Sequence, residues 1–197
     1  MPDNATQGSS TRPVGRSFST TSLVLCALCI ALLVASCFFT IPIGPVPFTL
    51  QTLVVILVAL LCTPKQAAAI TGIYLLMGAC GLPVFSSMTG GLGKILGPTG
   101  GFLISYLVGT LIATNARRAL EHRGVRQIVC DIVAATCIIV TSDVLGWLWL
   151  MVVTQSDPLA AFLMADAPFI AIDCCKAVVA IIIAAAVRKA LPQLKEN

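Results

Sequence analysis

The chain has 197 residues, 58% of them hydrophobic and 10% charged, with a mean hydropathy of +1.00. A soluble domain carries about 25% charged residues, so this chain lacks the charge to coat a water-exposed surface and its outer faces must meet lipid. The net charge of +4 is small, and its placement, set out below, argues against a nucleic-acid partner.

Residues 1–19 are polar and rich in Ser and Thr, with Arg12 and Arg16, and read as a disordered cytoplasmic tail. Residues 20–190 form one membrane domain, and residues 191–197 a second short tail. The first apolar run is Leu23–Phe39. It contains Val34-Ala35-Ser36-Cys37, which has the form of a lipoprotein signal with a modifiable Cys. Five further apolar runs and the charge pattern favour a retained first helix instead. Ala27, Ala31 and Ala35 lie four apart on one face of it. Small residues at that spacing let another helix approach closely in lipid, and packing inside the bundle is the other reading.

The segment 41–49 carries Pro42, Pro45 and Pro47 and cannot be a helix interior, because proline removes a donor and clashes with the preceding turn. The second and third apolar runs, Leu50–Cys62 and Ala67–Leu82, are divided by Thr63-Pro64, with proline favoured at a helix start. Residues 81–101 hold seven glycines together with Pro83 and Pro98. Such backbone enters a membrane only where protein buries it or where it lines a cavity, and glycine lets bare N–H groups approach a ligand. A flexible surface loop is the alternative. A nucleotide site is excluded there. Gly93-Lys94 is followed by Ile95 and preceded at the required spacing by Met88, and Gly91-Leu92-Gly93 meets Leu96 where a third glycine belongs.

The remaining runs are Gly101–Thr114, Ile128–Val153 and Phe169–Val187. A spanning helix needs roughly 20 residues, so the shorter runs require their flanks. The expected fold is an all-α integral membrane protein, a bundle of six transmembrane helices with Gly/Pro-rich outer loops. With the N-terminus placed in the cytoplasm, ten of the twelve Lys and Arg fall on the inner side: Arg12, Arg16, Lys65, Arg117, Arg118, Arg123, Arg126, Arg188, Lys189 and Lys195. Lys94 lies in an outer loop and Lys176 within the last span. Both termini are then cytoplasmic, in a multi-pass protein of the cell membrane.

Nine cysteines fall almost entirely in apolar runs, where a thiol behaves as a small buried hydrophobe. Cys26 and Cys29 form a CxxC pair, but His122 is the one histidine and lies far along the chain, so no zinc site is expected. Cys174 and Cys175 point about 100° apart on a helix, which disfavours a disulfide.

Asp173 and Lys176 lie inside the last span, roughly 7–12 Å from its outer start, and share a face. A charge in hydrocarbon costs at least about 2.5–3.5 kcal/mol. Such groups pair, face the bundle interior and usually mark a substrate path, with a purely structural ion pair as the other reading. The empty pair is neutral, so a ligand carboxylate can take Lys176 and leave Asp173 to accept N–H bonds. Asp143, in the outer half of the fifth span, is open to two readings, a site residue or a polar bond to a neighbouring helix. Asp131 sits near the inner rim and calls for no special account. Trp147 and Trp149 read first as an interfacial belt and second as pocket walls.

Four stretches together resemble the BioY family, the biotin-binding S components of energy-coupling factor transporters. They are Pro45-Val46-Pro47-Phe48-Thr49-Leu50-Gln51-Thr52, Tyr74-Leu75-Leu76-Met77-Gly78 with Gly81-Leu82-Pro83-Val84-Phe85, Gly97-Pro98-Thr99-Gly100-Gly101-Phe102, and Asp173-Cys174-Cys175-Lys176. The resemblance covers residues 23 to 190. It implies a six-helix bundle holding the vitamin near its outer face, with Asp173 and Lys176 as ligand contacts. It implies that the glycine-rich loop caps the ligand through Ser86, Ser87, Thr89, Gly90, Gly91 and Thr99, with Gln51 as a further contact. It also implies that Ala27, Ala31 and Ala35 dock on a transmembrane coupling protein driven by two ATPase subunits. No cofactor or metal is implied. The long Ser/Thr-rich tail and the many cysteines depart from the family pattern.

Two other function classes compete. A self-sufficient secondary transporter would use Asp143 or Asp173 as a proton relay and need no ATPase partner. A membrane enzyme is disfavoured by the single histidine and the absence of carboxylates paired with a nucleophile.

Overall fold

The computed structural model describes residues 20–42 and 46–191. Arg12, Arg16, Lys195 and Pro45, and with them the N-terminal tail and nearly all of the C-terminal one, lie outside the described residues. Each of the six apolar runs carries a helix: α1 (Thr20–Ser36), α2 (Gln51–Leu61), α3 (Pro64–Ala79), α5 (Gly100–His122), α6 (Gln127–Thr154) and α8 (Ile170–Ala190). Two short helices, α4 (Leu92–Leu96) and α7 (Pro158–Ala165), interrupt the loops, and the strands β1 (Thr40–Ile41) and β2 (Phe48–Thr49) pair antiparallel across the first outer segment. Among the described residues, α6 and α8 are long and apolar enough to cross a membrane by length and composition. The helices α1, α2 and α3, with 17, 11 and 16 residues, are shorter.

The α2–α3 boundary follows from chemistry legible in the sequence. The Thr63 hydroxyl accepts from the Gln66 N–H at 3.4 Å, the Gln66 side chain accepts from the Thr63 N–H at 2.8 Å, and Pro64 fills the first helical position. α2 is the hub. Val54 to Leu60 are buried without interruption, because α1, α5, α6 and α8 all pack around it. α5 and α6 lie closely side by side, since a Cβ on Gly101 would drive into Trp149 and one on Gly146 into the Phe102 ring. Ser105 and Ser142 share a hydrogen bond of 2.9 Å across that contact. The outward faces are apolar, with Val140, Val144, Leu148, Val178 and Ile182 exposed. They suit lipid rather than water.

One expectation is corrected. Asp131 is not an unremarkable rim residue. It is 1% exposed and lies between two arginines. Arg188 Nη1 donates to its Oδ1 at 3.3 Å while Arg188 Nη2 bonds its Oδ2, and Arg117 Nε stands 3.4 Å from Oδ1. Both arginines also donate to the Leu60 carbonyl at the end of α2, and Glu121 holds Arg117 from its other side at 2.8 Å. One end of the bundle is thus closed by ions joining α2, α5, α6 and α8.

Candidate ligand site at the opposite end

At the other end, the starts of α2, α5 and α8 meet the middle of α6 around a narrow cavity of about 50 Å³. Lys176 and Asp173 line it, 7% and 8% exposed. The Lys176 ammonium donates to Asp173 Oδ1 at 2.8 Å and lies 4.3 Å from the centre of the Phe48 ring. The cation therefore has one carboxylate and one aromatic face, and an incoming anion can compete for it. Phe48, Phe102, Tyr106 and Phe169 supply apolar wall.

Gln51 lines the cavity and is 2% exposed. Its Nε2 donates to the Tyr74 hydroxyl and, at 2.9 Å, to Cys37 Sγ, and the Tyr74 hydroxyl donates to the Val84 carbonyl at 2.9 Å. α2, α3, the residue just past the end of α1 and the start of the glycine-rich loop are tied together directly behind the cavity. Ser86 and Thr99 also line the cavity, and the buried Thr99 Oγ1 has no hydrogen-bond partner among the described residues. Such an orphan hydroxyl next to a cavity is a donor in waiting.

The other expected loop residues stand outside the cavity and shape the loop. Ser87 is exposed, with its N–H donating to Thr40 Oγ1 at 3.2 Å, and Thr89 Oγ1 donates to the Ser86 carbonyl at 2.8 Å. Gly90 sits against the Leu82 carbonyl, where no Cβ fits. Gly91, at φ +93°, donates its N–H to the Gly78 carbonyl at 2.7 Å. The loop is folded back on α3, with Phe85 packed edge-on against Tyr74 at 5.6 Å between ring centres. It is not a loose surface segment. Trp147 lines an apolar groove beside α7, and both tryptophans also hold neighbouring segments to α6. The Trp149 indole N–H donates to the Gly97 carbonyl and that of Trp147 to the Pro158 carbonyl, each at 2.9 Å, so both fasten loops to α6. Asp143 lines the cavity as well.

Ala27, Ala31 and Ala35 are all exposed, while Cys29, Leu33 and Ser36 turn inward. The small-residue face of α1 therefore points away from the bundle. A larger cavity of about 310 Å³ lies at the ionic end, bounded by Arg117, Arg118 and Arg188. Arg117 and Arg188 there are already engaged by Asp131, Glu121 and Leu60, which leaves them little to offer a small anion.

A family model described as the BioY family matches residues 9–193. A biotin transporter, BioY2, from Lactococcus lactis is 37% identical over 171 residues, covering 86% of this chain and 91% of the relative. A probable biotin transporter BioY from Pyrococcus horikoshii is 36% identical over 160 residues, covering 81% and 91%. The crystal structure of the S component for biotin from an ECF-type ABC transporter superposes with a TM-score of 0.82 at 26% identity, covering 90% of this chain and 95% of that one.

Proposed function

The chain belongs to the BioY family, and from that premise we propose that it captures biotin at the outer face of the cell membrane as the binding subunit of an energy-coupling factor importer, performing no chemistry itself. The observation that carries this reading is the buried Asp173–Lys176 pair opening onto an aromatic-walled cavity. Biotin has a carboxylate on an aliphatic arm and N–H donors on its ring. Lys176 takes the carboxylate, Asp173 turns to the polar groups nearby, and Gln51, Ser86 and Thr99 complete the polar contacts. Ser87, Thr89, Gly90 and Gly91 hold the shape of the loop that covers the ligand. Small-molecule sites run to about 300–1,000 Å³, so capture must widen the cavity. Residues 46–49 and the loop 81–101 are the parts outside the helical frame that can give way.

Six helices cross the bilayer in this reading, with residues 20–190 as the membrane domain and both terminal tails in the cytoplasm. The positive-inside distribution supports that orientation. The ionic end then faces the cytoplasm and the ligand cavity faces out. The partners are a transmembrane coupling protein and two ATPase subunits, which supply the energy this chain has no site to harvest.

Calorimetric titration of the detergent-purified protein with biotin, with biotin amide as control, tests the assignment. Tight binding of the acid and weaker binding of the amide are expected. Binding of neither would remove biotin as the ligand. The exposed alanine face of α1 is the docking surface for the coupling protein, because nothing bulky holds a second helix away. Ala31→Trp should therefore leave biotin affinity unchanged and stop uptake in cells carrying the whole importer. Normal uptake by that variant would move the docking face elsewhere, or make this chain a transporter in its own right.

A further inference from the structure

Carboxylates outnumber cations around the ligand cavity. Asp173 on α8 and Asp143 on α6 both line the cavity that Lys176 enters. Asp143 also borders an apolar groove between α6 and α7, formed with Val144, Trp147, Leu159 and Phe162, and Asp166 completes that groove. Asp143 is therefore the wall shared by the two spaces, with Asp166 on its far side. Asp166 directly follows α7. It is 2% exposed and its Oδ1 has no hydrogen-bond partner among the described residues.

The charged groups around Asp166 are mostly of its own sign. Asp143 of α6 shares its groove, Asp173 of α8 stands beyond Asp143 in the ligand cavity, and the Lys176 cation is already paired with Asp173. Tyr106 of α5 lies on the Asp173 side. Just before α7, Asp157 is exposed and caps the helix, accepting from the Leu159 N–H at 3.1 Å. A buried carboxylate with a bare oxygen has one inexpensive remedy, which is to hold a proton. Burial, reinforced by Asp143 and Asp173, pushes the Asp166 carboxyl up to about 7. At neutral pH the group is then poised between its two forms.

A ligand carboxylate at Lys176 changes that balance. It claims the cation that offsets Asp173 and adds a negative charge to the cluster. We propose that Asp166 takes up a proton as a carboxylate ligand settles on Lys176, so that ligand capture is linked to protonation of this buried outer acid. The inference rests on the reading of Lys176 as the carboxylate's partner. The sign follows from linkage. The ligand favours the protonated form of Asp166, so affinity is greatest on the acid side of neutrality and declines as pH rises through 7 to 8. If the bound ligand strengthens the hold on the proton by roughly tenfold, about a third to a half of a proton is taken up per biotin at pH 7.

The test is calorimetric titration of the full chain with biotin at pH 7 in buffers of different ionisation enthalpy, such as phosphate, HEPES and Tris. The observed enthalpy should vary with buffer in the sense of proton uptake, and Asp166→Asn should bind biotin without that dependence. Biotin amide, which brings no charge, should bind with little or none in the natural protein. Binding that is indifferent to buffer overturns the proton link while leaving the biotin site standing. An undiminished slope in Asp166→Asn also overturns it. If that variant does not fold, the natural protein still decides, because equal slopes for the acid and the amide sink the proposal. A failure of biotin to bind at all would instead strike the underlying site.

Discussion

Replacing Lys176 by alanine should weaken biotin binding by about 1.5–3 kcal/mol, the range for a hydrogen bond to a charged group, or roughly ten- to a hundred-and-fifty-fold. Lys176 is buried, so water screens its ammonium little, and the contacts of that ammonium are Asp173 at 2.8 Å and the Phe48 ring. Truncation removes the carboxylate's partner and leaves Asp173 buried and uncompensated, which repels the same anion. The loss should therefore be larger for biotin than for biotin amide. Asp173→Asn in the same chain should recover part of the binding by removing the stranded charge. Equilibrium titration of the folded variants measures all of this. Unaltered affinity in a folded Lys176→Ala protein would take Lys176 out of the site.

Why this pair was legible in the sequence, and its neighbours less so, is a matter of energy. An aspartate and a lysine three residues apart inside an apolar run are too costly to keep without a purpose, so Asp173 and Lys176 stand out before any fold is known. The six helices are legible for a similar reason, because long apolar runs have few other destinations. Their ends drift where composition misleads. α5 continues past Thr114 to His122 because charged residues stay helical beyond the apolar stretch. α3 starts at Pro64, where its cap sits, rather than at the first apolar residue. α4, set among glycines, and α7, set between Pro158 and Pro168, are too short to show a period. Within the loop, composition identifies a segment and not a direction. Ser87 and Met88 adopt φ of 60° and 54°, and that turn carries Ser87 outward while Ser86 meets the cavity. Phe48, Phe102, Tyr106 and Phe169 were not read as walls, since an aromatic facing a cavity and one facing the core look alike in sequence. Asp131 carries no such signal, because a carboxylate beside a run of basic residues looks solvated in sequence, and only the fold closes Arg117 and Arg188 over it.

Asp131→Ala should be the most destabilising of these changes, by about 3–5 kcal/mol, the cost of breaking a buried ion pair from one side. The reason begins with α2. Its 11 residues span about 16 Å, so it ends at Leu61 within the bundle, where Leu60 is fully buried. The Leu60 carbonyl is satisfied by Arg117 and Arg188, which serve as the cap that a short helix needs. Two guanidiniums in so enclosed a place require a counter-charge, and Asp131 is the carboxylate both share. Glu121 is more exposed and bonds Arg117 alone, so it does not replace Asp131 at Arg188. Removing Asp131 thus leaves a buried cation and puts the α2 cap at risk. Pairing Asp131→Leu with Arg188→Met should recover much of the loss, because the stranded charge goes with its partner. Thermal unfolding in detergent would rank the three proteins. An Asp131→Ala midpoint equal to that of the natural chain would mean that the ion cluster does not hold the bundle together. Biotin affinity of any folded variant should stay within about 0.5 kcal/mol of the natural value, as distant sites act independently. The cluster lies at the opposite end of the bundle from Lys176, and it closes the end of an 11-residue helix whose last carbonyls need partners.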